Sequence, residues 1–338
     1  MDVLSDVLRV VRLQGALFFS TRFTSPWAFD ALPAERLARL MQTRAESISL
    51  FHIFIEGECW ISLEDQEPFL MEKGCGVIFP HSPVHRMRSN PRLSQAKPFD
   101  SLLPLFEGDI VPNITYGGKG DLTRFICGYL ECDYRFNPLL GALPPVILIS
   151  PPNSSLLDHI SEDGPIQHSN VIITDSNDWL GTTLGYIIKE TEKKDPGCST
   201  IISRLTELLF VEALRRYMQQ LPVGQRGWLA GLNDPQTGRV IRLMHEQPEK
   251  KWTVEKLAHS VGVSRSVLAG RFTELVGESP MQYLTNWRMQ LARFMIRQSE
   301  QSFAEIAAQV GYNSDIAFSR AFKRLTGQTP AKWREQIK

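Results

Sequence analysis

Apolar side chains recur at helical spacing through the last hundred residues of this 338-residue chain, and the same arrangement occurs twice. The two copies, at 257–280 and 306–330, lie 49 residues apart up to their first glycine and 50 apart after it. In each copy an apolar helical face ends at a glycine, a serine follows, and a second apolar face ends at Gly-x-x-Pro. A glycine after the last turn supplies the positive φ that ends a helix, and a serine caps the next one. The repeat predicts two helix-turn-helix units, whose second helices fit a DNA major groove, in preference to an ordinary helical bundle.

Two strings in the second copy carry a more specific signal. Residues 306–312 read Ile-Ala-Ala-Gln-Val-Gly-Tyr and residues 318–324 read Phe-Ser-Arg-Ala-Phe-Lys-Arg. This stretch resembles the AraC family of bacterial transcription regulators, and the resemblance extends over about 233–338. It implies a DNA-binding domain in which one long helix, here expected at 281–297, joins two helix-turn-helix units.

The first 175 residues contain short apolar runs separated by Gly and Pro. Strands are predicted at 17–23, 48–55, 59–63, 77–79, 122–130 and 146–150, and a long loop at 90–120. Such short strands indicate a β-sandwich or small barrel. The segments 51–60 and 76–85 resemble the cupin-type N-terminal domain of many AraC-like regulators.

Two further helices are predicted within 178–221, with a break at Asp195-Pro196-Gly197. The resemblance implies that such helices dimerise the sensor domain, although periodicity equally allows them to cover the barrel. The predicted organisation is an α+β multidomain chain. Its parts are a cupin-like β-barrel or sandwich at 1–177, a helical dimerisation segment at 178–221, a linker at 222–232, and an all-α double helix-turn-helix domain at 233–338.

The formal net charge of zero hides an asymmetry between the two ends of the chain. Residues from Arg226 onward contain 17 Lys and Arg against 10 Asp and Glu, which leaves 20 against 27 for the remainder. A basic C-terminal region suits a phosphate backbone, whereas the acidic remainder is repelled by it. No apolar run is long enough for a membrane span, the start of the chain does not look like a signal peptide, and the five cysteines lack framework spacing. A cytoplasmic protein is expected.

Base contacts come from the first turns of a recognition helix, on the side opposite its apolar face. The residues that meet this condition and are predicted to contact bases are Arg265, Ser266, Ile316 and Arg320. Arg320 is the strongest candidate, because Arg paired with guanine is the commonest specific contact. Gly270 occupies a position that is often basic in the family, so weaker reading is expected from the first helix. Arg271, Lys323 and Arg324 are predicted to contact phosphates.

A small barrel is able to enclose one ligand, so a small-molecule effector is expected inside the β domain. The predicted lining is aromatic and apolar: Trp27, Phe51, Ile53, Trp60 and Phe79. Four residues have side chains that bind metals in cupins, namely His52, Glu56, His81 and His85, but the two-histidine enzymatic spacing is missing and no metal or other cofactor is expected. Backbone hydrogen bonding by His81 is the favoured interpretation.

The sequence therefore predicts a transcription regulator without enzymatic activity. Its expected partners are double-stranded DNA, a small-molecule effector, RNA polymerase and a second copy of the chain, with no membrane association. Two alternatives remain open. One is a metal-dependent cupin enzyme fused to a DNA-binding domain, and the other is a regulator that senses oxidants through a cysteine. For Cys127 and Cys132, which lie in and just after an apolar strand, inert burial is expected.

Overall fold

The computed structural model describes residues 2–337 except 12–13, 41–46, 65, 99–100, 102–112, 133–137, 161–166, 168–169, 176–177, 192, 194 and 223–224. The chain forms two compact units. The β unit comprises Leu13–Arg135 and Leu143–Leu221, and the helical unit comprises Met1–Arg12, Phe136–Ala142 and Pro222–Lys338. The first helix therefore groups with the C-terminal residues, although it precedes the β strands in the sequence. Among the described residues, no helix combines the length and the apolar character needed to cross a membrane.

Two sheets build the β unit. A seven-stranded sheet has the order β12-β11-β6-β3-β10-β1-β9, and a five-stranded sheet has the order β5-β4-β7-β2-β8. Their strands are β1 (Gln14–Thr24), β2 (Ala28–Asp30), β3 (Ser47–Glu56), β4 (Glu58–Leu63), β5 (Phe69–Glu72), β6 (Gly76–Phe79), β7 (His85–Arg88), β8 (Lys97–Pro98), β9 (Asn113–Gly117), β10 (Leu122–Cys132), β11 (Ile147–Ser150) and β12 (Val171–Ile173). The core contains buried side chains from both sheets, such as Phe54 and Phe125 of the first and Ile61 and Met87 of the second. The predicted cupin-like sandwich is confirmed.

The long loop predicted at 90–120 is wrong in part. β9 pairs in parallel with β1, with Thr21 opposite Ile114, and β8 pairs in parallel with β2. Both strands are short and lie at a sheet edge, and β9 buries only Ile114 fully. β9 places only Ile114 and Tyr116 on its inner side, and an alternation of two apolar residues is too short to distinguish a strand from a loop.

Two helices cover the outer face of the seven-stranded sheet. The helices of the β unit are α2 (Ala34–Leu40), a 3₁₀ helix (Ser155–His159), α4 (Trp179–Thr191) and α5 (Cys198–Gln220). α4 and α5 pack against each other and against β3, β1 and β12. Arg216 of α5 reinforces this pair, because it lies 2.8 Å from the carboxylate of Asp178 immediately before α4.

The helical unit contains the predicted repeat. Its helices are α1 (Val3–Val11), α3 (Pro138–Gly141), α6 (Trp228–Asn233), α7 (Pro235–Glu246), α8 (Val254–Ser260), α9 (Arg265–Val276), α10 (Pro280–Gln298), α11 (Phe303–Gln309), α12 (Asp315–Thr326) and α13 (Pro330–Ile337). α8 and α9 form the first helix-turn-helix unit, α11 and α12 form the second, and the 19-residue α10 connects them. Both predicted helix-turn-helix units and the connecting helix are confirmed.

Candidate nucleic-acid interface and sensor site

The two recognition helices, α9 and α12, begin with the same local chemistry. Ser264 and Ser314 accept hydrogen bonds from the amides three residues later, at 3.3 and 3.2 Å. Gly262 and Gly311 precede them with φ of 71° and 79°. Capping satisfies amides that the first turn leaves free, and the left-handed glycine lets the chain reverse between the helices.

Burial on one side of each recognition helix leaves the other side for DNA. α9 packs through Leu268 and Phe272, and α12 packs through Phe318 and Phe322, and all four are at most 1% exposed. A helix fixed through one face by large apolar side chains presents its opposite face in a defined orientation. Both helices thus meet the geometric requirement for entering a major groove.

The free face of α12 carries a cationic stripe. Ile316, Arg320 and Lys323 follow one another at helical spacing, and the side chain of Ile316 is 63% exposed. Arg324 lies beside Lys323 and is also exposed. Within the part of the chain that the structure describes, none of these three cations is paired with a carboxylate. They are therefore free to meet an anionic ligand.

Arg265 and Arg271, the two arginines of α9, already have carboxylate partners at the protein surface. Arg265 lies 2.9 Å from Glu255, and the Nε of Arg271 donates to both carboxylate oxygens of Asp234 at 3.2 and 3.0 Å. Asp234 also caps α7 by accepting from the amide of Thr237 at 2.8 Å. Burial alone would raise the pKa of Asp234, but these hydrogen bonds outweigh it and the pKa is lowered. Ser266 is exposed at the start of α9, and Gly270 has open space around it.

An aromatic network behind α9 holds α6, α7 and α10 together. The indole of Trp228 donates to the hydroxyl of Tyr283 at 2.9 Å, and the Nε2 of His245 lies 2.8 Å from the same oxygen. The His245 ring stacks on Trp287 with centroids 3.8 Å apart. Burial lowers the pKa of His245 to about 3, so this histidine is neutral at physiological pH.

The structure does not bring the five predicted effector-lining residues together. Trp27 and Phe79 lie in the core between the sheets, at 2% and 0% exposure. Phe51 and Ile53 instead face α4 and α5, beside Leu209, and Trp60 lies half-buried between the inward residues of β4. Successive residues of a strand point to opposite faces, so a one-residue error in phase selects the wrong side of the sheet.

The inward residues of β3 include a polar one, His52, and it anchors a buried hydrogen-bonded chain. The Nδ1 of His52 contacts the sulfur of Cys127, its Nε2 lies 3.0 Å from Nε2 of His85, and Nδ1 of His85 lies 2.9 Å from the carbonyl oxygen of Pro83. A carbonyl only accepts, so Nδ1 of His85 carries the hydrogen and its Nε2 accepts from His52. Nδ1 of His52 then accepts from the thiol of Cys127, and every member of the chain is neutral.

The environment reinforces that neutral state. Burial lowers the pKa of His85 to about 4 and, with the neighbouring His85, lowers the pKa of His52 well below its ordinary value. Burial also raises the pKa of the Cys127 thiol. Ionising any of the three side chains would place an unpaired charge in an apolar core, so they stay neutral and act only through their hydrogen bonds.

The four candidate metal ligands do not converge. His52 and His85 share one hydrogen bond, His81 lies 3.2 Å from the carbonyl oxygen of Leu143, and Glu56 pairs with Arg124 at 3.6 Å. Across the described residues, no three histidine, cysteine or acidic side chains are grouped so as to hold a metal ion. The contact between His81 and the carbonyl oxygen of Leu143 is the backbone hydrogen bond predicted for this residue.

The described thiols are poorly suited to thiolate chemistry. Cys59, Cys75 and Cys127 are buried, and desolvation raises the pKa of each. Cys198 is partly exposed, yet desolvation and a hydrogen bond to Glu190 raise its pKa as well. A sensing cysteine requires a lowered pKa and access to solvent. The side chain of Cys132 lies outside the described residues.

A small recess adjoins the polar chain inside the β unit. It has a volume of about 20 Å³ and is lined mainly by apolar side chains, with His52 and Cys127 as its polar members: Phe19, Phe29, Ala31, Leu32, Leu37, Leu50, His52 and Cys127. A cavity of this size holds about one water molecule. A larger occupant needs movement of the surrounding side chains, of which Leu37 on the short helix α2 is one.

Comparison with known proteins gives the same two parts. A family model described as Cupin matches residues 2–163 and 169–219, and one described as Helix-turn-helix domain matches residues 257–336. The chain is 29% identical to the HTH-type transcriptional regulator AlkR of Acinetobacter baylyi over 339 residues, which cover 99% of this chain and 100% of AlkR. It is 30% identical to a putative AraC-like transcription regulator of Streptomyces antibioticus over 343 residues, which cover 99% of each chain. Because this similarity runs through both the cupin and the helix-turn-helix regions, the chain belongs to the AraC-like family of transcription regulators.

Proposed function

We propose that this regulator recognises its DNA site mainly through α12, that α9 acts as a second and weaker reader, and that an effector in the β unit controls both. The observation that carries the proposal is the stripe of Ile316, Arg320 and Lys323, whose two cations have no carboxylate partner within the described residues. The excess of basic residues after Arg226 supports it, because phosphate neutralisation supplies much of the affinity for DNA.

Each of the predicted contact residues on the two helices is assigned one kind of contact. Arg320 donates to a guanine edge, Ile316 packs against a thymine methyl, and Lys323 and Arg324 bind phosphates. On α9, Arg265 and Ser266 contact bases and Arg271 contacts a phosphate. The ion pairs to Glu255 and Asp234 weaken the contributions of these two arginines, since each guanidinium is shared with a carboxylate.

Replacement of Arg320 tests the assignment. Arg320→Ala is expected to weaken binding to a selected genomic site about 10- to 100-fold and to relax specificity at one base position. Arg242→Ala is the matched control, because Arg242 is an exposed arginine on α7, outside both helix-turn-helix units. Fluorescence anisotropy with the full-length protein at two salt concentrations measures both affinities. Equal affinities of Arg320→Ala and wild type would show that α12 does not read bases through this residue.

The outer face of α4 and α5 supports a homodimer. Trp179 and Tyr186 on α4 are both 48% exposed, and Ile201 and Leu208 on α5 are 40% and 53% exposed. In each helix the two residues lie seven positions apart, so they share one face. Exposed apolar residues grouped on one face of a helix are typical of protein interfaces.

A charge in this apolar face tests the dimer. Leu208→Glu is expected to convert the protein to a monomer in light scattering, because an unpaired carboxylate would be buried at the contact. Glu207→Gln, at a neighbouring residue whose carboxylate pairs with Arg204 at 3.0 Å, is the control and keeps the dimer. A monomeric wild-type protein at micromolar concentration would refute the assignment.

The effector is placed in the interior of the β unit, in the recess beside His52 and Cys127. Trp27 and Phe79 belong to the same core, whereas Phe51, Ile53 and Trp60 point elsewhere and are not assigned to the ligand. The lining favours a small, largely apolar molecule with one polar group for the histidine chain.

Ala31→Leu narrows the recess. Molecules from a small-compound library that raise the melting temperature of the wild type are expected to lose this effect in Ala31→Leu, and compounds that stabilise both proteins equally bind elsewhere.

The remaining roles follow from the family. Because the relatives are transcription regulators, we infer a non-enzymatic protein that acts in the cytoplasm and engages RNA polymerase at its promoter. Metal analysis of the purified protein separates this role from a cupin enzyme, since a stoichiometric transition metal would favour the enzyme.

A further inference from the structure

Arg288 of the connecting helix α10 contacts a segment that precedes the first helix-turn-helix unit. Its Nε donates to the carbonyl oxygen of Pro248 at 2.7 Å, and its Nη2 donates to the carbonyl oxygen of Lys250 at 2.9 Å. Both carbonyls belong to the loop between α7 and α8. Two charge-assisted hydrogen bonds from one guanidinium hold this loop against the middle of α10.

The same guanidinium reaches the turn of the second helix-turn-helix unit. It lies 6.0 Å from the ring centroid of Tyr312, within cation–π range. A Cβ atom at Gly311 would lie 2.7 Å from Nη2 of Arg288 and 2.8 Å from the carbonyl oxygen of Glu249. The loop before the first unit, the connecting helix and the turn of the second unit therefore meet around one side chain.

This contact has no counterpart in the first copy of the repeat. Gly262 occupies the position equivalent to Gly311 and has a similar φ of 71°, but a Cβ atom there would meet nothing within 4 Å. The close packing at Gly311 is thus not required by the turn itself. It belongs to the junction between the two helix-turn-helix units.

The junction matters because DNA demands a defined offset between two readers. One base pair moves a reading position about 3.4 Å along the axis and about 35° around it, since roughly 10 base pairs complete a turn of 34–36 Å. Long helices curve gently, so α10 by itself leaves some freedom in the relative placement of the two units. A second connection beside the helix restricts both movements.

We propose that Arg288 is a positioning residue that sets the spacing between the DNA blocks read by α9 and α12. The proposal rests on the proposed function, in which both helices bind DNA. Arg288 contacts neither block. It acts by fixing the loop at 247–250 and the turn at Gly311 and Tyr312 against α10.

The test uses full-length protein and a selected genomic site, with one base pair removed from or added to the spacer between its two blocks. The wild type is expected to bind the native spacing about 100-fold more tightly than either altered site, because a shifted block loses one or two base contacts. Arg288→Met keeps an unbranched apolar stem but removes both hydrogen bonds and the cation. It is expected to reduce the preference below about 10-fold. Arg288→Lys retains the cation but has one donor nitrogen in place of the two that Arg288 uses. It is expected to keep a spacing preference between those of the wild type and Arg288→Met.

Arg293→Met is the matched control on the same helix. The guanidinium carbon of Arg293 lies 4.1 Å from the ring centroid of Trp333 on α13, away from the loop at 247–250. Its loss is expected to lower stability without changing the spacing preference, which separates positioning from general weakening. Tyr312→Leu provides an independent variant if Arg288→Met fails to fold, and it is also expected to reduce the preference.

The outcomes distinguish this proposal from the one on which it rests. A wild type that ignores changes in either block, or in the spacer, would refute the two-reader function. A wild type with a strong spacing preference that both Arg288→Met and Tyr312→Leu retain would leave that function intact and overturn the role of Arg288. Equal loss of the preference in Arg293→Met would also overturn it, because any weakening of the unit would then have the same effect.

Discussion

Replacement of one turn glycine in each repeat isolates the energetic contribution of the junction at Gly311. Gly262→Ala and Gly311→Ala place the same methyl group at equivalent positions, with φ of 71° and 79°. The backbone strain is therefore nearly the same in both variants. The surroundings differ, since the first position is open and the second is in contact with Arg288 and the loop at 247–250.

The expected costs follow from those surroundings. A left-handed conformation costs a residue with a Cβ atom about 1–2 kcal/mol, part of which the stiffer unfolded chain offsets. Gly262→Ala should thus cost about 1 kcal/mol. At Gly311 the flexible end of Arg288 is able to move aside, but the carbonyl oxygen of Glu249, at 2.8 Å, belongs to the backbone. Overpacking against the backbone adds about 1–3 kcal/mol, so Gly311→Ala should cost about 2–4 kcal/mol.

Hydrogen exchange of the full-length protein is the suitable assay. The chain has two compact units, so a single thermal transition does not report on the helical unit alone. Amide exchange in α8, α9, α10 and α11 gives local opening free energies for each variant. Gly311→Ala is expected to lower the opening free energy in α10 and in α11, whereas Gly262→Ala should act mainly on α8 and α9.

Equal costs for the two substitutions would contradict this reasoning. That result would mean that the loop at 247–250 moves away without penalty, and the hydrogen bonds of Arg288 would then carry little energy. A greater cost for Gly262→Ala would show that the first turn, and not the junction, is the more constrained part of the unit.

Three further predictions concern buried groups in both units. The pKa of His245 is about 3 in the folded protein against 6.5 in the unfolded chain, so its contribution to stability is fully present above pH 6.5 and is lost as the pH falls towards 3. Hydrogen exchange in α7 should show the opening free energy falling by about 1.4 kcal/mol per pH unit within that window. This pH dependence should be absent in His245→Phe. Val7 of α1 is 0% exposed, and α1 packs on α7 and α10. Removing its two methyl groups in Val7→Ala should lower the opening free energy of those helices by about 1.6 kcal/mol. Unchanged hydrogen exchange would show that α1 does not stabilise the helical unit. Cys127→Ala should destabilise the β unit by about 1–3 kcal/mol in urea unfolding, because Nδ1 of His52 loses its hydrogen-bond donor, whereas the hydroxyl of Cys127→Ser still donates. Identical unfolding midpoints for the two variants would refute the assigned tautomers.

The sequence predicted the helical unit more completely than the β unit, for a physical reason. Helix ends are marked by side chains that act within three or four residues, such as Ser264, Ser314 and the capping box of Ser302 and Glu305. Those local signals are readable without knowledge of the rest of the fold. The repeat, the turns and the connecting helix could therefore be assigned from the chain alone.

Strand partners and strand faces depend on residues far away in the chain. β9 acquires its place from pairing with β1, roughly 90 residues earlier in the sequence. Both sides of β3 are mainly apolar, because one face meets the other sheet and the opposite face meets α4 and α5. With both faces buried, no polar side marks the outside, and the predicted lining therefore combined residues from both faces of the sheet.

The sequence alone determined that the chain carries two helix-turn-helix units behind a cupin-like domain, because short-range capping, glycine turns and apolar periodicity encode those elements. Only the tertiary structure decided which charged groups remain available and which are already paired. It placed Asp234 against Arg271 and Glu255 against Arg265, left the cations of α12 without a carboxylate among the described residues, and brought Arg288 to both Pro248 and Tyr312. These contacts join residues that are between 10 and 40 positions apart, and their formation depends on how helices pack, which no local pattern records.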